Sequence, residues 1–315
     1  MYAIGIDLGG TNIKAALIGR EQGLVRELSI PTEADEGKDH VIGRITYAVK
    51  ELLQQGSEKV MGIGLGTPGM VAPDLATVMD PPNLKGWGTV PLASEIEQRT
   101  GIRCVIENDA NLAALGSARF GVGKENENFI MITLGTGVGG GLIINNQLYR
   151  GVTGMAGELG HVIIKFDGPA SNSNTPGTIE AYLGQRFLSR NAAERIRKQP
   201  DDPLFRKFGE RLDTLEPVDI YDAAMEGNLL ASDILIDCGE KLGIAIVNYI
   251  HILDIRTVIL SGGVSGAGEY LIGPARSTAL RYLMPPFRDG FTILHEPLGN
   301  RAALFGASSL AFEEL

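Results

Sequence analysis

Ile4-Gly5-Ile6-Asp7-Leu8-Gly9-Gly10-Thr11 has a counterpart far along the chain, Ile130-Met131-Ile132-Thr133-Leu134-Gly135-Thr136-Gly137. Each stretch reads as an apolar strand, a Leu-Gly step and a small polar turn. Each is followed by another apolar run, Ile13 to Ile18 in one case and Leu142 to Asn145 in the other. An apolar run broken by Gly and then resumed predicts a β-hairpin. The separation is too long for a solenoid repeat and predicts two related domains.

The turns themselves carry chemistry. Gly9-Gly10 leaves backbone N–H groups uncovered, Thr11 and Asn12 add side-chain donors, and Asp7 adds a carboxylate suited to a hydrated Mg²⁺. Leu134 to Gly141, LGTGVGGG, offers a second cradle. A Gly turn also serves as a plain hairpin connection. Two of them at domain spacing favour a triphosphate held from both sides. No GxxxxGK[ST] loop is present, so this is not a Walker-type site.

Bulk properties set the class. The chain has 315 residues, 44% hydrophobic and 21% charged, enough for real hydrophobic cores. Its net charge of −10 argues against a nucleic-acid partner, which would call for basic stripes. Backbone N–H groups can hold a nucleotide's phosphates without that basicity. Cys104 and Cys238 lie in no metal-ligand spacing and imply no disulfide framework. The N-terminus lacks signal-peptide character and no apolar run is long enough for a membrane span, so a cytoplasmic protein with no membrane partner is expected. The 42 glycines mark tight turns and places of close backbone approach.

Between the hairpins, helical periodicity covers His40 to Leu53, a buried strand covers Val60 to Leu65, and Gly66-Thr67-Pro68-Gly69 follows. Leu92 to Arg99 reads as a helix, Arg103 to Ile106 as a strand, and Ala110 to Arg119 as a helix opened by Asn108-Asp109. Asp109 has no adjacent Lys or Arg. It could serve as the helix cap or as a base that takes the proton of an attacking hydroxyl. Beyond the second hairpin, Val162 to Lys165 is expected as a strand, with helices over most of Ile179 to Leu253. Gly239 and Gly243 form a stripe for close helix packing. Thr257 to Leu260 is a buried strand ending in Ser261-Gly262-Gly263, and Ala302 to Glu313 is the last helix.

Taken in order, DLGGTNIK at Asp7, GTPG at Gly66, NLKGW at Asn83, ENDANLAALG at Glu107, TLGTGVGGG at Thr133, GELGH at Gly157, IEAYLG at Ile179 and LSGGVS at Leu260 resemble the ROK group (repressors, open reading frames, kinases) of the actin, Hsp70 and sugar-kinase superfamily. The resemblance runs through essentially the whole chain. It implies an α/β, duplicated actin-like ATPase (ribonuclease H-like) fold, with two domains and an interdomain cleft that closes on sugar. The expected domains are residues 1–115 plus 300–315, and 116–299. It implies an ATP- and Mg²⁺-dependent hexose kinase, with glucose the most frequent substrate of this motif set. N-acetylmannosamine, N-acetylglucosamine, fructose, mannose and allose stay open, as does polyphosphate as donor. By the same resemblance Asp109 is the catalytic base. Gly69, Asn83, Asn108, Asp109, Glu158, His161 and Glu180 bind the sugar. Asp7, Gly9, Gly10, Thr11, Asn12, Lys14, Thr133, Gly135, Thr136, Gly137, Gly262 and Gly263 bind nucleotide. Trp87 is expected as a packed loop anchor, with a cover over the sugar as the alternative role. A homodimer or homotetramer is implied by analogy.

One departure stands out. Many ROK proteins carry a zinc site of one His and three Cys. The His matches His161, but the Cys positions fall on Ser171, Ser173 and Thr178, and the motif's first Gly falls on Asn174. Hydroxyls are poor Zn²⁺ ligands beside thiolates, so no structural zinc is expected. Two other readings remain. A sugar-sensing repressor would carry an N-terminal helix-turn-helix, for which the hairpin beginning at Tyr2 leaves no room. A non-catalytic sugar-binding protein is suggested by the lost zinc ligands and opposed by Asp109 and both turns.

Overall fold

The computed structural model describes every residue except Gln55, Ser57, Asn83 and Lys85. In chain order the strands are β1 (Tyr2–Leu8), β2 (Asn12–Gly19), β3 (Gly23–Pro31), β4 (Val60–Thr67), β5 (Met70–Val71), β6 (Val78–Met79), β7 (Thr89–Val90), β8 (Cys104–Asn108), β9 (Phe129–Leu134), β10 (Val138–Ile144), β11 (Gln147–Leu148), β12 (Thr257–Ser261) and β13 (Thr292–His295). The α-helices are α1 (Lys38–Gln54), α2 (Leu92–Thr100), α3 (Asp109–Phe120), α4 (Glu180–Leu183), α5 (Gln185–Arg197), α6 (Pro203–Phe208), α7 (Pro217–Met225), α8 (Leu229–Leu253), α9 (Glu269–Tyr282) and α10 (Ala302–Glu314).

Packing divides the chain into two compact units. Met1–Asn128, Gly141–Gly157 and Glu296–Leu315 form the first, and Phe129–Gly140 with Glu158–His295 the second. These limits differ from the expected boundary at 115/116, which would have cut through α3. The physical reason is close packing: α3 and α10 approach so tightly that a Cβ on Gly116 or Gly306 would strike the other helix's backbone.

In the first unit the strand order is β3-β2-β1-β4-β8. β1 and β2 are antiparallel, with Asp7 opposite Lys14, while β4 runs parallel to both β1 and β8. Ile4, Ile6, Leu8, Ile63, Leu65 and Ile106 supply the buried side chains of the sheet. Val41, Ile45, Val49 and Leu52 line one stripe of α1 at helical spacing and enter the same core, as does Trp87. Across the sheet, α10 lies against Gly5 and Gly64, where any side chain would collide with its carbonyls. Part of the glycine excess therefore lets a helix sit on a sheet, with no ligand involved.

The second sheet has the order β11-β10-β9-β12-β13, the same plan as the first. β12 runs parallel to β9 and β13, and its Val258, Ile259 and Leu260 are wholly buried, as a central parallel strand requires. The duplication expected from the repeated turn motif is thus present as a duplicated strand order. α8 starts at Asn228, whose side chain accepts from Ala231 N–H, and packs on α9 where Gly239 and Gly243 face the carbonyls of Leu271 and Ala275. The stripe expected at these glycines is a packing seam. One expected strand is not formed. Val162 to Lys165 pairs only through a single bridge, Ile163 to Thr178, because the partner segment turns away at once through Pro176-Gly177.

Candidate active site

The end of β8 and the start of α3 form a corner built on Asn108. Asn108 is the helix cap: its Oδ1 accepts from Ala110 N–H at 2.9 Å and Asn111 N–H at 3.2 Å. Its Nδ2 donates to the Gly69 carbonyl at 3.1 Å, so Gly69 supports Asn108. Gly69 has φ of +90°, a backbone that only Gly adopts without strain. With the cap filled by Asn108, Asp109 is the first residue of the helix, half-buried, with Oδ1 accepting from Ala110 N–H at 2.9 Å. The two roles left open for Asp109 in the sequence thus separate, since the capping role belongs to its neighbour.

On the first sheet, the β1–β2 turn is closed by Gly9 N–H to Asn12 O at 3.0 Å. Thr32 braces it, donating its hydroxyl to Gly9 O at 2.6 Å and its N–H to Thr11 O at 2.8 Å. Thr11 and Asn12 are exposed, and Gly9, Gly10 and Lys14 are half-buried. Burial pushes the Asp7 carboxyl above its ordinary range, against the opposing pull of Lys14. A divalent cation would relieve that cost. Among the described residues no cluster of three His, Cys, Asp or Glu could cage a metal by itself. A single carboxylate of this kind fits Mg²⁺, which is commonly held by one or two carboxylates, water and substrate phosphates.

The second unit gathers its candidates around Val138, the first residue of β10. The β9–β10 turn is closed by Gly135 N–H to Gly137 O at 3.0 Å, and Gln185 N–H reaches Gly135 O at 2.9 Å. The buried Glu180 carboxylate accepts from Val138 N–H at 3.2 Å and lies against Gly137 so closely that a Cβ there would meet it. The Glu158–His161 turn rests on the same residue, because Gly160 packs on the Val138 carbonyl. Tyr249 fixes this turn from α8, its hydroxyl donating to Leu159 O at 2.6 Å. Burial pushes the Tyr249 phenol up, so it stays a donor. Glu158 and His161 are exposed, 3.6 Å apart through Oε2 and Nε2. Gly262, at φ +88°, abuts Leu134 and brings the Ser261–Gly263 turn beside Gly135. Thr133 is half-buried and Thr136 exposed on the turn. Asn83 lies outside the described residues.

Sequence reasoning missed the cleft that begins at Thr136. It measures about 470 Å³ and is lined by Gln185, Ser189, Arg190, Arg197, Leu215 and Glu216 among others. The Ser189 hydroxyl is buried there without a partner. The available signal was Arg186, Arg190 and Arg197 on α5, spaced four and seven apart and so on one face of the helix.

The loop that would carry zinc is closed by other means. Ser171 Oγ lies 2.9 Å from Ser173 Oγ and donates to Thr175 O at 3.3 Å, while Ser173 Oγ lies 3.1 Å from Thr175 Oγ1. Thr178 is wholly buried and its Oγ1 accepts from Ala181 N–H at 3.4 Å. Ile164 N–H to Gly177 O and Gly177 N–H to Pro169 O, both 2.8 Å, tie the ends. This donor set does not fit zinc.

A glucokinase of Thermotoga maritima is 34% identical over 99% of this chain and 98% of its own length. A xylose repressor of Caldicellulosiruptor bescii is 30% identical over 99% of this chain and 78% of that protein. The crystal structure of a ROK family glucokinase from Streptomyces griseus in complex with glucose and AMPPNP superposes with a TM-score of 0.87, at 34% identity, over 99% of this chain and all of that one. The fold is accordingly the mixed α/β, actin-like one that the motif resemblance implied. The ROK family pattern matches residues 3–314, all but three positions of the chain, and the chain is therefore a member of the ROK family.

Proposed function

We propose that this protein is an ATP-dependent hexose kinase that transfers the γ-phosphoryl group to a sugar hydroxyl, with glucose as its main substrate and glucose 6-phosphate as product. The observation that carries the reading is the convergence on Val138. Glu180 accepts from the N–H of the residue that ends the second glycine turn, and Gly160, in the short turn that carries Glu158 and His161, packs on that residue's carbonyl. A sugar and a row of phosphates would then be held by one continuous piece of structure. Similarity to a glucokinase, and to a structure holding glucose and an ATP analogue, supports the choice of sugar and donor.

In the proposed reaction, the Asp109 carboxylate takes the proton of the acceptor hydroxyl as its oxygen attacks the γ-phosphorus. The bond to the bridging oxygen breaks and ADP leaves. Phosphoryl transfer demands positioning and charge neutralisation more than covalent chemistry. Backbone N–H groups of Gly9–Asn12 and Gly135–Gly137 would cradle phosphates, and Asn108 has a second amide hydrogen to give the sugar. Mg²⁺, held through Asp7 when bound, would offset phosphate charge. The cleft beside Thr136 and the Ser261–Gly263 turn would take the adenosine end, with Arg190 near its phosphates. ATP as donor implies a cytoplasmic setting.

The test is turnover with ATP and Mg²⁺ across a hexose panel. Glucose is expected to show the highest kcat/KM, with N-acetylmannosamine, N-acetylglucosamine and fructose below it. A protein that binds glucose yet phosphorylates no hexose would instead be a non-catalytic sugar-binding member of the family.

A further inference from the structure

Glu107 is buried, only 1% exposed, at the end of β8 immediately before the Asn108–Asp109 corner. A carboxylate so placed needs strong partners. Its Oε1 accepts from Asn108 N–H at 2.9 Å and from Asn111 Nδ2 at 3.1 Å. Its Oε2 accepts from Arg150 Nε at 2.6 Å. Three donors therefore converge on one carboxylate, and two of them belong to the residues that cap and continue α3. The third comes from 43 positions away in sequence.

Arg150 is itself a root. Its carbonyl accepts from Ala156 N–H at 3.0 Å, which closes the loop running from Arg150 toward Gly157, and Glu158 is the next residue. Its guanidinium also lies 3.8 Å from Glu314 at the end of α10. One side chain thus grips the corner that carries Asp109, while its own backbone starts the segment that leads into the GELGH motif.

We infer that Arg150 is a positioning residue for phosphoryl transfer: through Glu107 it fixes the Asn108–Asp109 corner, and through its carbonyl the loop before Glu158. The inference rests on the kinase reading above. It gives Arg150 no contact with substrate. Its loss acts by letting the Asp109 carboxylate drift, and a misplacement of about 1 Å can cost on the order of 10²-fold in rate.

The experiment compares wild type with Arg150→Met, Arg150→Lys and the double variant Glu107→Gln/Arg150→Met. Glucose and ATP kinetics are normalised to binding-competent sites counted by glucose calorimetry. Arg150→Met is expected to lower kcat/KM for glucose by about 10–100-fold with the KM for ATP unchanged, an effect of the size a misaimed base produces. It also leaves a buried carboxylate without its cation and so lowers the melting temperature. Arg150→Lys restores most of the activity, because an ammonium reaches Oε2 at one point. The double variant removes the stranded charge and regains thermal stability, while kcat stays low. A double variant with wild-type kcat, or an Arg150→Met protein whose loss disappears once normalised to competent sites, would reduce Arg150 to a stability role and overturn the inference. A wild type that turns over no hexose would overturn the kinase reading and this inference with it.

Discussion

The Asp7–Asn12 turn and the Leu134–Val138 turn share a backbone plan. In each, a glycine N–H closes the hairpin at 3.0 Å, and a donor from outside braces the Gly9 or Gly135 carbonyl: the Thr32 hydroxyl in the first case, Gln185 N–H in the second. Their charges differ. The first has Asp7 at its head, a carboxyl whose burial makes ionisation costly. The second has Thr133 there, and its carboxylate sits at the tail, where Glu180 holds Val138 N–H. The duplicated hairpin keeps a braced glycine turn, closed onto the third residue after Gly9 but the second after Gly135, and differs in its charges. The first turn can attract a cation, while the second is joined to the sugar candidates.

Substitutions at matching positions probe that division. Asp7→Asn is expected to weaken Mg²⁺-dependent turnover by about 10–100-fold, the range seen when a group behind a metal's water shell is lost. Thr133→Val at the equivalent position of the second turn should leave the Mg²⁺ dependence unchanged. Equal losses at both would erase the distinction. Glu180→Ala strands the Val138 N–H and should cost about 1–3 kcal/mol of stability, read by denaturant unfolding, and raise the KM for glucose. Arg190→Ala should raise the KM for ATP about tenfold, the worth of a charged hydrogen bond, and leave the KM for glucose alone.

A smaller effect concerns pH. A carboxyl raised by burial binds its proton more tightly folded than unfolded. Its penalty is absent well below the unfolded value of 3.8 and grows as pH rises through that value toward the folded one. Without Mg²⁺, Asp7→Asn should therefore melt higher than wild type at neutral pH, and the gap should close in acid. The smallest expected effect is none: protein prepared without added Mg²⁺ should hold no metal in the Ser171–Thr178 loop for a chelator to remove. Stoichiometric zinc by metal analysis would contradict this.

Local signals carried much of the fold. The repeated Leu-Gly turn gave both hairpins and the expectation of two related domains, because hairpin formation depends on residues near in sequence. The Asn108–Asp109 corner was legible for the same reason. What could not be read were contacts between distant segments. Nothing in the sequence links Glu180 to Val138, Glu107 to Arg150 or Tyr249 to Leu159, since each pair meets only after the sheets assemble. The cleft along α5 was hidden similarly, its arginines looking like an ordinary solvated face. Val162 to Lys165 misled because an apolar run forms a strand only if a partner stays beside it. The glycines at 5, 64, 116 and 306 are helix seats, a role that only the assembled packing reveals.

The most direct measurement is single-turnover kinetics of Asp109→Asn with ATP, Mg²⁺ and glucose, paired with glucose binding by calorimetry. Loss of general-base assistance should slow phosphoryl transfer by about 10²–10⁴-fold while glucose still binds with near wild-type affinity. A variant that transfers phosphate at close to the wild-type rate would contradict the account, because the proton would then leave the sugar by a route that needs no carboxylate at the start of α3.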